Sequence, residues 1–359
     1  MKADLEFMAC ALQLAEHGRF TTDPNPRVGC VLVKNGRIIG EGFHERAGQA
    51  HAEINALKNV TEDTTGATAY VTLEPCSHHG KTPPCCDALI ATGIKRLVVA
   101  MTDPNPLVAG RGLERCKAAG IEVVCDVLRA DAEKLNQGFI SRMTKNRPFI
   151  RSKIAMSLDG KTALANSESQ WITSPEARAD VHLFRAESSA ILTGIGTVLA
   201  DNPSLNARVD FPIVQPIRVV LDSKLQMPLD AQMMNMKGRI LILTCSTNEQ
   251  KSTVLKQAGF EVHVLPESNG RLDLHAVIKF LAKQEINNVF VEAGATLNGA
   301  LLDAGLVDEW LIYMASCVLG DKGRGAFVLP ELQSMTDKKM LQWRDVRHVG
   351  RDLRLTLTS

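Results

Sequence analysis

The residues best suited to chemistry lie between His51 and Cys86. The stretch opens with His51-Ala52-Glu53, reaches Thr72-Leu73-Glu74-Pro75-Cys76, and closes with Pro83-Pro84-Cys85-Cys86. One imidazole and two thiolates on separate segments can supply three corners of a tetrahedral Zn²⁺ site, whereas structural zinc sites normally have four protein ligands. Three ligands therefore predict a catalytic metal with one position left for water. Such a water needs a base nearby, and Glu53, two residues after the histidine, is placed to take its proton and deliver it onward. The expected ligands are His51, Cys76 and Cys85. Cys85 is preferred to Cys86 because it directly follows the diproline and starts a helix, where thiolates are stabilised. Cys86 would then face the core, and His78 and His79 are alternative donors.

The H-x-E and P-C arrangement is that of zinc nucleobase deaminases, which attack a carbon bearing an exocyclic amine. It departs from the short form in one respect: eight residues, not two, separate Cys76 from Cys85. Reading all three ligands as ordinary core residues leaves the composite spacing unexplained.

A second set of candidates lies further on. Ala293-Gly294-Ala295-Thr296-Leu297-Asn298-Gly299-Ala300 follows an apolar run, and small residues at a strand-to-helix turn let backbone N–H groups approach a phosphate. Gly194-Ile195-Gly196 follows another such run but lacks the third glycine of the dinucleotide fingerprint, so a Rossmann fold is not expected. Lys153, Asp159, Ser169, Trp171, Arg185, Arg208 and Glu292 cluster at predicted strand ends and loops. Arg185 and Arg208 could clamp a phosphate through forked hydrogen bonds. Lys153 and Glu292 end strands that could meet, which makes either a candidate proton donor. Ser223-Lys224 could read a phosphate on a nucleotide ribose, with Asp222 turned inward or capping the turn.

These residues need elements to hold them. Apolar spacing predicts a first helix from Asp4 to His17, and Asn35-Gly36 predicts a hairpin between Val28–Lys34 and Arg37–Gly42. A helix from His51, a strand Thr68–Leu73, a helix from Cys85, a strand Arg96–Ala100, a helix Arg111–Ala119, a strand Ile121–Cys125 and a helix from 131 to 139 follow. This order predicts a three-layer α/β sandwich over residues 1–145. A polar stretch ending in Arg147-Pro148 marks a boundary at Asn146. Beyond it, over residues 147–359, strands at 149–156, 190–194, 218–221, 239–244, 261–265 and 288–292 alternate with helices at 174–186, 248–258 and 274–283. That predicts a mostly parallel sheet covered on both faces, with antiparallel edge strands at 310–315, 341–349 and 353–357.

Composition agrees with two globular domains: 359 residues, 45% hydrophobic and 23% charged. Basic and acidic residues number 41 and 40, with no basic run, which argues against nucleic acid as a partner. Nine irregularly spaced cysteines point to a reducing compartment, and no apolar run reaches membrane-spanning length, so a soluble cytoplasmic protein is expected. A homo-oligomer is compatible with the sequence. The rival reading is a tRNA or nucleoside deaminase whose second half is a nucleotide-binding module.

Across nearly its whole length the chain resembles the RibD family of bifunctional riboflavin-biosynthesis enzymes. The resemblance rests on His51-Ala52-Glu53, on Thr72 to Cys85, and on Asp103-Pro104-Asn105-Pro106-Leu107-Val108-Ala109-Gly110-Arg111-Gly112. In the second half it rests on Ser157-Leu158-Asp159-Gly160-Lys161 and Ser169-Gln170-Trp171-Ile172-Thr173. It implies a cytidine-deaminase-like domain followed by a dihydrofolate-reductase-like α/β domain. It also implies two consecutive reactions on phosphorylated pyrimidines. The first deaminates 2,5-diamino-6-ribosylamino-4(3H)-pyrimidinone 5′-phosphate with Zn²⁺, and the second reduces the ribosyl chain to ribityl with NADPH. By resemblance, Asn25, His44, His78 and Lys81 would surround the deaminase substrate. Lys153, Ser169, Arg185, Leu205, Arg208 and Glu292 would face the reductase substrate. Ala155, Trp171, Thr197, Asp201, Ser223 and the run Gly294, Ala295, Thr296, Leu297, Asn298, Gly299 and Ala300 would face the cofactor.

Overall fold

The computed structural model describes residues 2–77, 84–106 and 108–359. They form two compact units, the first Met1–Asn146 with Pro212–Val214, the second Arg147–Phe211 with Gln215–Ser359.

In the first unit, helix α1 (Lys2–Glu16) precedes a hairpin of β1 (Gly29–Lys34) and β2 (Arg37–Phe43). Asn35 and Gly36 both take positive φ, as the tight turn between twisted strands requires. Then come α2 (Ala52–Lys58), β3 (Thr68–Val71), α3 (Cys85–Ala91), β4 (Arg96–Val99), α4 (Arg111–Ala118), β5 (Glu122–Val124), α5 (Arg129–Leu135) and α6 (Gln137–Lys145). The sheet order is β2-β1-β3-β4-β5, antiparallel at β1 and parallel from β3 to β5. Met8 and Ala11 of α1 and Ala52 and Ala56 of α2 share one core with Val31, Leu32, Val71 and Val98. Gly42 lets α2 lie directly on β2: a Cβ there would stand 2.3 Å from the Ala56 nitrogen. That close approach sets the position of the helix start bearing His51.

The single helix expected over 131–139 is two helices. The break falls at Asn136, whose buried side chain accepts from the Arg27 N–H (2.8 Å) and donates to the Arg27 carbonyl (3.0 Å). An amide that pairs with a distant backbone in this way ends one helix and fastens the loop holding Asn25.

The second unit runs β6 (Phe149–Ser157), β7 (Lys161–Ala163), α7 (Pro175–Glu187), β8 (Ala190–Gly194), α8 (Ile195–Asp201), β9 (Ile217–Leu221), β10 (Ile240–Thr244), α9 (Glu249–Gln257) and β11 (Glu261–Val264). The short β12 (Glu267–Ser268) and β13 (Arg271–Leu272) precede α10 (Leu274–Lys283), β14 (Asn288–Glu292), α11 (Ala295–Asp303), β15 (Glu309–Ala315), β16 (Arg324–Gly325), β17 (Gln342–Val349) and β18 (Asp352–Thr358). Nine strands make one sheet in the order β11-β10-β9-β8-β14-β6-β15-β18-β17. Successive residues alternate between two cores, Val219, Leu241 and Val289 on one face and Val220, Ile242 and Phe290 on the other. Both faces are therefore covered, as parallel sheets require.

Two expectations fail here. Strand 310–315 is antiparallel to β18 but not at an edge: its other side runs parallel to β6 in the sheet interior, because α11 carries the chain back across the sheet before it. Only β17 and β18 pair antiparallel beyond it. The stretch after Gly194, expected to be a turn, begins α8 at once.

Candidate active sites

The first site gathers at the starts of α2 and α3. His51 is the N-cap of α2, and Glu53, only 3% exposed, lies in its first turn. The His51 Nδ1 stands 3.6 Å from the Cys76 Sγ and 3.4 Å from the Cys85 Sγ, and the three donor atoms lie within 4.8 Å of one another. Zn–S bonds of about 2.3 Å and Zn–N bonds of about 2.0–2.1 Å give tetrahedral edges of about 3.5–3.8 Å, so the triangle fits a zinc ion. Contact with Cys85 and with the His51 ring draws the Cys76 thiol down to about 4, while Cys76 and burial push Cys85 up. Cys86 lies in the core.

Burial lifts the Glu53 carboxyl to about 7 against the pull of His51, which suits a group that must both take and give a proton near neutrality. His44 is buried beside this centre. Its Nδ1 meets the Ala50 carbonyl at 3.0 Å and its Nε2 the Asn25 side-chain nitrogen at 3.0 Å. A carbonyl only accepts, so Nδ1 carries the hydrogen, Nε2 accepts, and the Asn25 oxygen is turned away from His44. His78, His79 and Lys81 lie outside the described residues. No role for Glu74 is legible in the sequence. Its buried carboxylate accepts from the N–H groups of Asp103 (3.1 Å), Gly110 (2.9 Å) and Gly112 (2.9 Å). It thereby ties the segment after β4 to the zinc-ligand segment.

The second site lies at the carboxyl ends of β8 and β14, where ligands of parallel sheets collect, and beside the middle of the longer β6, so Lys153, expected at a strand end, lies within its strand. Lys153 and Glu292 are direct partners across β6 and β14. Arg185 of α7 donates Nε and Nη2 to the Glu292 carboxylate (2.5 and 2.8 Å) and Nη1 to the Asn206 carbonyl (3.0 Å). Burial would raise Glu292, but Arg185, with Lys153 and His182, holds it at about 2. Burial pulls Lys153 below the usual lysine range, with Glu292 opposing. The expected phosphate clamp of two arginines is thus halved: Arg185 is committed to a carboxylate that would otherwise be buried unpaired. Arg208 is exposed, and its hydrogen bonds go to His182, one turn before Arg185 on α7. The sequence reading missed His182, although its spacing from Arg185 places both on one helix face.

For the nucleotide, β8 and β14 are parallel neighbours, and each runs straight into a helix. The N-caps, Gly194 and Gly294, are extended and make no side-chain cap, so the first N–H groups of α8 and α11 are left for a ligand. A Cβ on Gly294 would meet nothing within 4 Å, and Gly294 and Thr296 are exposed there. This cradle fits a dinucleotide phosphate. Thr197 lies in the first turn of α8 and Asp201 at its end. Ala155 follows Lys153 on the same face of β6, and Ser169 is half-buried. Trp171 is 67% exposed beneath the Arg178 guanidinium, 4.5 Å from its ring centre. Other candidates turn inward. Asn298 is buried, pairing with Ser152 (2.9 Å) and the Ala293 carbonyl (3.0 Å), and the Leu205 side chain is in the core. Asp222 is fully buried and caps the turn through the N–H groups of Gln226 and Met227. The Ser223 hydroxyl accepts from the Leu272 N–H (3.2 Å), which leaves its hydrogen to donate.

Residues 1–101 match the family model described as the cytidine and deoxycytidylate deaminase zinc-binding region, and residues 148–355 match that of the RibD C-terminal domain. The riboflavin biosynthesis protein RibD of Escherichia coli is 50% identical over 99% of both chains. RibD of Acinetobacter baumannii has a solved structure that superposes with a TM-score of 0.93 at 42% identity, covering 99% of each chain. The Thermotoga maritima diaminohydroxyphosphoribosylaminopyrimidine deaminase/5-amino-6-(5-phosphoribosylamino)uracil reductase superposes with a TM-score of 0.88 at 35% identity, again covering 99% of each. No helix among the described residues is long and apolar enough to cross a membrane.

Proposed function

The chain belongs to the RibD family of bifunctional riboflavin-biosynthesis enzymes, and from that premise we propose how its own residues divide the two reactions. It is a zinc-dependent deaminase and an NADPH-dependent reductase. The similarity spans both halves, which disfavours a tRNA or nucleoside deaminase with an added binding module. Its first substrate is 2,5-diamino-6-ribosylamino-4(3H)-pyrimidinone 5′-phosphate, and its product is 5-amino-6-ribitylaminouracil 5′-phosphate.

The observation that carries the deaminase reading is the ligand triangle of His51, Cys76 and Cys85 beside a buried Glu53. When bound, zinc supplies the Lewis acid that makes water nucleophilic at neutral pH. Glu53 takes a proton from the attacking water and returns one to the departing amine nitrogen. Asn25, fixed by His44, presents its carbonyl oxygen to a donor on the pyrimidine, and His78 and Lys81 complete the substrate site.

In the second unit, NADPH supplies hydride to the sugar carbon, and the neighbouring oxygen or nitrogen must gain a proton. A carboxylate held at about 2 keeps no proton to give, so Glu292 orients and Lys153 donates. Arg185 fixes Glu292, Arg208 takes the substrate phosphate, and Ser169 and the Leu205 backbone line the remainder. Ala155, Trp171, Thr197, Asp201, Ser223, and Gly294 with the start of α11 to Ala300 hold the cofactor, with Asn298 stiffening that helix start from inside.

Ser223 and Lys224 are assigned to the 2′-phosphate that distinguishes NADPH from NADH. A hydrogen bond to a charged group contributes about 1.5–3 kcal/mol, so Ser223→Ala/Lys224→Ala should lower the NADPH-to-NADH ratio of catalytic efficiencies about tenfold or more. An unchanged ratio means that the phosphate is read elsewhere.

The whole reading is tested by incubating the protein with the diaminopyrimidine substrate and NADPH, which should release ammonia and oxidise cofactor in equal amounts. Separate cores support a deaminase domain of residues 1–145 and a reductase domain of residues 147–359, so the two co-expressed fragments should each catalyse one step. Two insoluble fragments would overturn that division.

A further inference from the structure

We propose that His182 is a positioning residue of the reductase, one that holds the Arg208 guanidinium edge-on so that its remaining N–H groups face the substrate's 5′-phosphate. The proposal rests on the reading that Arg208 binds that phosphate.

Arg208 Nε and Nη2 approach His182 Nε2 at 3.2 and 3.0 Å, and the Arg208 backbone nitrogen lies 3.1 Å from His182 Nδ1. A guanidinium only donates, and a neutral imidazole has a single ring lone pair. That lone pair serves one nitrogen at a time: on Nε2 it receives the guanidinium, and the Arg208 backbone N–H then faces the Nδ1 hydrogen without an acceptor there. Facing His182, Nε and one edge of Nη2 are used, while Nη1 and the other edge of Nη2 are left over. An exposed arginine otherwise samples many rotamers, and ordering it only when substrate arrives weakens binding.

The choice of partner is informative. A carboxylate would orient Arg208 equally well but would cancel its charge and compete with a phosphate for the same fork. Neutral imidazole fixes direction and leaves the charge intact. The surroundings keep it neutral: burial, then Arg185 on its own helix and Arg208 on the facing loop, lower His182 to about 4, and Glu292 on β14 opposes them only in part. The neighbouring Arg185 shows the contrast, since its fork is occupied by Glu292.

The test uses the full-length enzyme, with 5-amino-6-ribosylaminouracil 5′-phosphate and its dephosphorylated counterpart as reductase substrates. His182→Phe removes the acceptor and keeps a ring. It should raise KM for the phosphorylated substrate about tenfold, the scale of one hydrogen bond to a charged group, with kcat and the KM for NADPH unchanged. Turnover of the dephosphorylated substrate should not move, and His182→Gln, which retains an acceptor, should recover most of the loss. In an Arg208→Ala background, His182→Phe should add nothing. A merely structural His182 would instead lower kcat and both KM-dependent efficiencies together, and its effect would add to that of Arg208→Ala; either result overturns the proposal. Arg208→Ala that leaves discrimination between the two substrates intact would overturn the underlying phosphate reading instead. Unchanged turnover of the dephosphorylated substrate and an unchanged KM for NADPH report that the second unit is folded, and the Gln variant keeps the test decisive if the Phe variant is unstable.

Discussion

Glu53→Gln should slow ammonia release by about 10²–10⁴-fold while the protein keeps its zinc and its full reductase activity. The substitution preserves shape and removes the group that carries protons, and Glu53 is not one of the three atoms placed to hold metal. Cys76→Ser is the contrasting variant. It removes a corner of the triangle, so metal content and deamination should fall together, again with reduction untouched. Metal analysis alongside the two activity assays distinguishes the outcomes. Loss of zinc from Glu53→Gln would make Glu53 a ligand or a strut and would sink its role as proton carrier.

Lys153→Met should lower reductase kcat by a comparable factor and leave the NADPH dissociation constant nearly unchanged. The argument combines geometry with charge. Lys153, midway along β6, is the register partner of Glu292 at the end of β14, and Arg185 and Lys153 hold that carboxyl low while burial and Arg185 lower the lysine. The pH profile supplies a second readout. A donor must be protonated to act, so the rate should fall as pH rises through the Lys153 pKa, and that fall should come earlier than for an ordinary lysine because burial lowers the value. Lys153→Met should abolish that limb. Equal losses in turnover and cofactor binding would make Lys153 a cofactor clamp.

The zinc centre was legible because its chemistry is local in sequence: His51 and Glu53 share a helix start, and Cys85 opens another. Strand-helix alternation in the second half was legible from apolar runs for the same reason. What remained hidden depends on pairing across the fold. Nothing in the run Glu309–Ala315 says that it joins β6 in parallel, since that follows from the path taken through α11. The arginine pair could be seen as two cations near a presumed phosphate. Only the fold shows that Glu292 occupies one and that a histidine contacts the other. Asn136 breaks a helix whose apolar spacing looks continuous, because its partner is Arg27, far away in the chain.

The grip of Glu74 bears on how this protein could change over evolutionary time. Its carboxylate recognises Asp103, Gly110 and Gly112 through their backbone N–H groups and asks nothing of side chains. At Gly112 a substituent is excluded, because a Cβ would stand 2.1 Å from the Pro75 carbonyl oxygen. At Gly110, by contrast, a Cβ meets nothing within 4 Å, although its φ of 81° favours glycine. The path of this segment is thus anchored independently of most of its own sequence. Most side chains of this segment are therefore open to change, while its hold on the segment bearing Cys76 stays where it is.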